Sequence, residues 1–530
     1  MKYFSKKYIG YWSIIFTTFL FVLIYLGLNI GFEENDDILM ALISSGEYSG
    51  ETDFHLIFIN VIYGAFLNGL YNLLPNFEWY SIVHIGLSIV ATSVIANFIV
   101  KSGNTRAIKT IFLVLLYSIF IAITIQLQFT YTAGFVGIAG ICLLFDKRPS
   151  KMFFGMLLLL IASLIRFKAG LLVIMISGPL LLLDVDRLKD VFFSVRLRYL
   201  TFALLLISLA KFIDYKVYSD HTDWNNYKKY NEVRGQINDN PNALQIRESL
   251  PLGVHVDDYN LLLTSFPDGN RMSLEVITAI RSQLKDVTIL SKFVNIRNLL
   301  KPYYLVWLFI LLLISVSFIR KKSSFKNFIP LLMYGILLFG LSFVALEQTV
   351  KNRVFVIAVA TYSLLIPLLI SELELNPKKL RIVGLAFLSL IILLNFRTII
   401  RYNGKTITEE YANQYKLVDA YLSSSPKKLS PYGTSLKIEY VNPFNISEDF
   451  YSQQMYFGGW LSQVPFNKGN FDSFEFFING NGMYITKLAY KSVVDIVVKN
   501  IYEDYKLKVK PQVVLESEKD CIVEFIPVDN

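Results

Sequence analysis

Four carboxylates crowd into five positions where the first apolar stretch ends: Glu33, Glu34, Asp36 and Asp37, in the run GFEENDDILM. Beside an apolar wall, such a carboxylate can take a proton from an acceptor hydroxyl. Alternatively, Asp36 and Asp37 can bind a divalent cation, Mg or Mn, that does so. A solvated acidic loop, or a cap for a helix starting near Ile38, would use the same residues, so residue types alone leave both readings open. Glu47, Asp53 and His55 follow, and a lone histidine is more often a satisfied polar residue than a ligand.

The elements that must position these groups are apolar. The chain has 530 residues, 54% hydrophobic and 18% charged, with a mean hydropathy of +0.46. That excludes a soluble enzyme. The net charge of +9 invites nucleic acid as a partner. However, the Lys and Arg sit between apolar stretches rather than on one face, so no nucleic acid is expected. The two cysteines, Cys142 and Cys521, have no metal-ligand spacing and no disulfide framework. Walker sequences, Gly-rich phosphate loops and catalytic-Ser motifs are absent. The Phe, Tyr, Ile, Lys and Asn bias suggests a bacterial host.

A helix needs about 20 mostly apolar residues to cross a bilayer. Eleven stretches qualify as spans, some of them short: 9–31, 79–100, 109–128, 131–145, 152–165, 169–183, 197–214, 302–319, 328–346, 354–371 and 381–400. Residues 54–74 are also apolar. Treating them as an external helix on the membrane collects Lys101, Arg106, Lys109, Lys147, Arg148, Arg187, Arg196, Arg320 and Lys378 on one side, as the positive-inside rule requires. The expectation is a mainly α, polytopic plasma-membrane protein, N-terminus inside and C-terminus outside. Residues 1–401 form the membrane module, with outer loops 32–78 and 215–301. Residues 402–530 form a small extracytoplasmic α/β domain, with a helix over 406–422 and strands at SLKIEYV, KPQVVLE and CIVEFI.

Cations left in short outer turns need a reason. Arg166, Lys168, Lys351 and Arg353 are the candidates, because cations near membrane depth are costly unless paired. A lipid phosphate would pair them, Arg through two parallel hydrogen bonds. Snorkelling, or a salt bridge to the acidic first loop, would serve equally. Loop 215–301 holds His221, Trp224, His255, Asp257 and Asp258 with no metal spacing. It reads as a segment without clear secondary structure, a candidate lid, and Asp257 and Asp258 read as solvated. The aromatic run 450–460 reads as domain core or membrane contact in preference to a sugar platform.

The order of motifs over residues 30–100 resembles the C-type (GT-C) membrane glycosyltransferases, which include aminoarabinose-to-lipid A transferases and protein mannosyltransferases. The matching residues are Asp36-Asp37, the helix ILMALI, Ser45-Gly46-Glu47-Tyr48, His55-Leu56, Leu74-Pro75 and Trp79-Tyr80. The Pro-Pro after the His, the Phe-Gly turn and the Arg-Leu-Pro of that family have no counterpart, so the acceptor class does not carry over. The resemblance implies an inverting transfer of a sugar from a polyprenyl-phosphate donor to an envelope glycan, lipid or protein on the outer face. Asp36 would be the base, Asp37 its alternate or partner, and Asp53 a second carboxylate. Arg166, Lys168, Lys351 and Arg353 would hold the donor phosphate, with His55 and Glu47 near the acceptor. An envelope polysaccharide polymerase or ligase, or a lipid or solute transporter, is the competing reading.

Overall fold

The computed structural model describes residues 9–146, 148–183, 194–240, 242–284, 302–317, 325–347, 351–373, 405–424, 426–433, 436, 441–446, 454, 458–466 and 473–528. It is mainly helical, with several apolar helices of membrane length and a small mixed sheet near the C-terminus.

The first span is α1 (Ile9–Gly27), most of whose side chains face outward, as a lipid-facing helix requires. A short parallel pairing follows, β1 (Gly31–Phe32) with β2 (Gln126–Leu127). It ties the exit of α1 to the turn between two later helices. The acidic run opens α2 (Asn35–Ser45). Asp36 and Asp37 occupy its first turn, where the positive end of the helix dipole favours anions. The cap position is Glu34, whose side chain makes no capping bond. Helix α2 stops at Gly46, whose φ of +91° is left-handed and where a Cβ would meet the Glu51 backbone at 2.9 Å.

Residues 54–74 do not form one helix. Only α3 (Val61–Leu73) is helical, and at 13 residues it is too short to span, about 20 Å against a hydrocarbon core of about 30 Å. The preceding segment is held extended instead. Asp53 accepts hydrogen bonds from the backbone and ring of His55, and Ile57 takes a φ of 62°.

The bundle continues with α4 (Trp79–Lys101), α5 (Arg106–Ile125), α6 (Phe129–Leu144), α7 (Pro149–Ile165), α8 (Phe167–Ser177) and α9 (Val195–Asp220). Helices α6 and α7 cross closely at Gly140 and Gly155. A Cβ on either would lie 2.7–2.9 Å from the other's carbonyl oxygen, so small residues set this approach.

The long outer segment is not structureless. It contains α10 (Thr222–Asn238), α11 (Val256–Leu263) and α12 (Leu274–Gln283). These enclose a separate apolar core of Tyr230, Ile237, Ile246, Tyr259, Leu262, Met272, Ile277 and Ile280. The bundle resumes with α13 (Pro302–Ser317), α14 (Ile329–Glu347) and α15 (Asn352–Leu373). The expected span 381–400 lies outside the described residues.

The C-terminal region opens with α16 (Lys405–Ser424), close to the expected limits. Its sheet has the order β3-β4-β6-β5, built from β3 (Leu429–Pro431), β4 (Gly482–Thr486), β5 (Val509–Glu516) and β6 (Asp520–Pro527). Strands β3 and β4 are parallel, and the other pairs are antiparallel. Helices α17 (Glu475–Ile478) and α18 (Lys487–Tyr505) complete it. KPQVVLE and CIVEFI are therefore strands, while most of SLKIEYV lies outside the described residues.

Candidate active site at the outer helix ends

Several helix ends meet around α2. They include the N-terminal ends of α4 (Tyr80), α6 (Phe129 and Tyr131) and α15 (Arg353) and the C-terminal end of α7 beside Arg166, as the contacts of Glu33, Glu34, Asp37 and Arg166 show. Within α4, Tyr80 at this site and Lys101 lie at opposite ends of the helix.

Glu33 is anchored first. Its N–H donates to Leu127 O at 3.1 Å, and Tyr131 of α6 donates its hydroxyl to the Glu33 carboxylate at 3.0 Å. Burial lifts its carboxyl to about 7, although Arg353 pulls the other way.

Arg353 sits in the first turn of α15, the wrong end of a helix dipole for a cation. It is held there by carboxylates. It forms an ion pair with Glu34, and its second nitrogen lies 3.9 Å from Asp36 Oδ2. The salt-bridge reading of the outer cations therefore holds for Arg353.

Asp36 keeps 16% of its side chain open, enough for a ligand to reach it. Trp460, from the C-terminal region, donates its indole N–H to Asp36 Oδ1 at 2.9 Å. Burial and the neighbouring Glu34 raise the Asp36 carboxyl above its usual range, against the pull of Arg353 and the Trp460 bond. A partly open carboxylate with a raised pKa, hydrogen-bonded on one oxygen and near a cation on the other, has the properties of a general base.

Asp37 points elsewhere. Fully buried, it accepts from the Tyr80 hydroxyl at 2.9 Å and from the Phe129 N–H at 2.9 Å. Burial pushes its carboxyl well up, against both hydrogen bonds. Asp36 and Asp37 thus have separate partners and do not face each other across a shared seat. Among the described residues no three His, Cys, Asp or Glu side chains converge as metal ligands. The pair does not fit a divalent-metal seat, and no step is drawn through a metal.

Arg166 lies between α7 and α8, with its guanidinium 5.2 Å from the ring centroids of both Phe58 and Phe129. One nitrogen donates to Phe58 O at 3.3 Å. It lies within electrostatic range of Asp36, Asp37 and Glu34 without a direct ion pair to any of them. Lys168 and Lys351 are exposed nearby in the chain.

Asp53 and His55 form a pair of their own. The His55 ring donates to Asp53 at 2.7 Å and stacks on Trp224 at 4.3 Å, with Tyr218 edge-on at 5.1 Å. Burial would raise the Asp53 carboxyl, but the bonds from His55 outweigh it and hold it below its usual value. These contacts dock the first outer loop on α9 and α10. Glu47 lies past the end of α2, half-buried, with its N–H on Ser45 Oγ at 3.4 Å.

Two residues were missed. Trp460 stood inside the aromatic run 450–460, where the Gly-Gly before it marks a turn able to present one ring. Gly458 makes that turn possible: a Cβ there would collide with the Ser265 carbonyl. Tyr80 stands out in the sequence only as part of the Trp79-Tyr80 motif. Asp258, read as solvated, is in fact buried. It accepts from Asn500 at 2.7 Å and pairs with Arg271 at 3.2 Å, because the long outer segment packs on α18.

No family model and no curated protein matches the chain. Two solved structures align with it, both crystal structures of ArnT from Cupriavidus metallidurans. One is bound to undecaprenyl phosphate and one is in the apo state. Each alignment covers 97% of this chain and 97% of that chain at a TM-score of 0.43, with 12% identity for the bound form and 10% for the apo form.

Proposed function

We propose that the protein is a membrane glycosyltransferase that moves a sugar from a polyprenyl-phosphate donor to an envelope acceptor on the outer face. Asp36 is the base. The observation that carries this reading is the state of Asp36. It is partly open, raised in pKa, and fixed by Trp460 and Arg353 where several helix ends meet.

In this scheme the acceptor hydroxyl approaches Asp36 Oδ2, the oxygen not engaged by Trp460, and gives up its proton as it attacks the anomeric carbon. Attack from the face opposite the departing phosphate inverts that carbon. The leaving group is already an anion and needs positive charge more than a proton. Arg166 suits that role best, since its guanidinium is committed to one carbonyl and two aromatic faces rather than to a carboxylate. Arg353 serves chiefly to keep Glu34 and Asp36 in place. Lys168 and Lys351 add positive charge at the rim. Asp53 and His55 support the first outer loop rather than the reacting atoms.

The test uses purified wild-type and Asp36→Asn protein with radiolabelled polyprenyl-phosphate sugars and envelope lipids or glycans as acceptors. The expected outcome is label transfer by the wild type alone. Transfer retained by a folded Asp36→Asn protein would refute the assignment. Replacing Arg166 with Gln should weaken donor binding, and unchanged donor affinity would remove it from the phosphate site.

A further inference from the structure

Helix α4 carries Tyr80, His84, Ser88 and Thr92 at intervals of four, which places them on one stripe. The stripe is polar, buried and inside an apolar bundle: His84 and Thr92 are fully buried and Ser88 is 3% exposed. It begins at the candidate site, since the Tyr80 hydroxyl donates to Asp37. Ser88 meets Thr132 of α6 at 3.4 Å.

Along this stripe the protein leaves polar atoms without protein partners. Both ring nitrogens of His84, the hydroxyls of Tyr63 and Thr92, and Asp37 Oδ2 are buried and bonded to no other described group. The rings around His84 are close: Tyr80 at 4.5 Å and Tyr63 of α3 at 5.7 Å between centroids. Buried polar atoms are almost always satisfied by protein or by ordered water, and an ionisable side chain inside a span marks function by default. A neutral imidazole offers one donor and one acceptor, and a tyrosine hydroxyl offers both. A carboxylic acid with one oxygen already accepting two bonds has its other oxygen to fill. A small bridging molecule that can both donate and accept would complement these groups.

We propose that α2, α3 and α4 enclose an internal water site that links Asp37 Oδ2 to the ring of His84, with the Tyr63 hydroxyl as a third support. His84 is then a positioning residue for Asp37. It holds the water that receives the Asp37 proton in a hydrogen bond, so Asp37 remains a neutral acid beside Asp36. The raised pKa of Asp37 agrees with that state. Serine and threonine further along the stripe extend the site toward the membrane centre.

The experiment uses the full-length protein in lipid nanodiscs and no substrate, so its outcome is independent of the glycosyltransferase reading. Hydroxyl radicals generated from bound water by X-ray pulses label side chains next to that water. Tyr63, Tyr80 and His84 should be labelled well above Phe120 and Phe135, which are equally buried among apolar neighbours. His84→Phe should lower labelling at Tyr63 and Tyr80 by about threefold, because the bridge loses its imidazole anchor. It should also shift the protonated-carboxyl infrared band that Asp37→Asn removes. If His84→Phe does not fold, Tyr63→Phe, which deletes only a hydroxyl, should reduce labelling at Tyr80 and His84. Labelling at the level of the two phenylalanines, or a carboxyl band that neither variant moves, would overturn the proposal.

Discussion

Two aspartate pairs, Asp36-Asp37 and Asp257-Asp258, each open a short helix, and each has an arginine partner. They differ in balance. At the second pair Arg271 reaches Asp258, Glu503 and Asp504 at 2.7–3.2 Å, Lys499 takes Asp257 at 3.3 Å, and Asn500 satisfies the other oxygen of Asp258. Glu503 is held below its usual value by its bond to Arg271. At the first pair Arg353 pairs with Glu34 and lies 3.9 Å from Asp36, and burial raises Glu33, Asp36 and Asp37. The second arrangement is a clamp between the outer helices and α18. The first holds carboxylates whose proton affinity is raised, which suits proton transfer and is of no use to a clamp.

The largest expected effect separates the two directly. Asp36→Asn should lower transfer by about 10²–10⁴-fold, the usual worth of a positioned base, while leaving the unfolding midpoint unchanged. Asp258→Asn should do the reverse. It keeps transfer per folded molecule and lowers stability by about 1–3 kcal/mol as Arg271 loses a charged partner. Equal losses of activity in the two variants, measured beside thermal unfolding, would erase the distinction.

The arginines should part in the same way. Replacing Arg353 with Met leaves Glu34 and Asp36 without their cation, at a cost of about 1–3 kcal/mol for a pair whose Glu34 is 35% exposed. Activity should fall even in the folded fraction, because Asp36 then binds its proton more tightly. Arg271→Met should destabilise by at least as much, since it strands the buried Asp258, and should leave the pH dependence of transfer alone. Thermal unfolding and a pH–rate profile on both variants check this.

Much of the membrane frame was legible in the sequence because each span is a nearly unbroken apolar run, and hydrocarbon permits little but helix for such a run. Where the reading failed, a local contact overrode composition. The segment 54–60 is as apolar as its neighbours, but Asp53 captures the His55 backbone and ring and keeps it extended. In the long outer segment Tyr230, Ile237, Tyr259, Leu262 and Ile277 are spread over short helices, so their shared core was invisible to a periodicity count. At the site, Asp36 and Arg353 were legible because charge beside a span demands explanation. Trp460 was not, because nothing local links it to a residue 424 positions away.

A third test uses Glu33. Its carboxyl is raised from 4.5 to about 7, so the folded state binds a proton that the unfolded chain releases. The sign follows: from pH 4.5 to about 7 stability should fall as pH rises, then level off. A tenfold change in proton affinity is worth about 1.4 kcal/mol, so the whole fall in stability is on the order of a few kcal/mol. Glu33→Gln should reduce that slope, read from unfolding midpoints across the same range, and leave the share that the raised Asp36 and Asp37 contribute. Glu503→Gln, on the clamp side, should not reduce it. A slope that Glu33→Gln leaves unchanged would move the titration to another group.

The smallest expected effect bears on the detail that sequence reading missed. Trp460→Phe keeps an aromatic ring against Phe58 but removes the N–H that donates to Asp36 Oδ1. A hydrogen bond to the charged form of a carboxylate lowers its pKa, so losing it should raise Asp36 further. The acid limb of the pH–rate profile should therefore move to higher pH, and transfer below the limb should drop about fivefold, as expected for one bond worth about 1 kcal/mol. Above the limb transfer should be nearly unchanged, because Asp36 is ionised in both proteins. On the other side Asn500→Leu likewise deletes one donor, to Asp258, and should lower the unfolding midpoint while leaving the limb in place. A limb that Trp460→Phe does not shift would mean that the indole holds the C-terminal region against the bundle, as Asn500 does at the clamp, and does not tune the base.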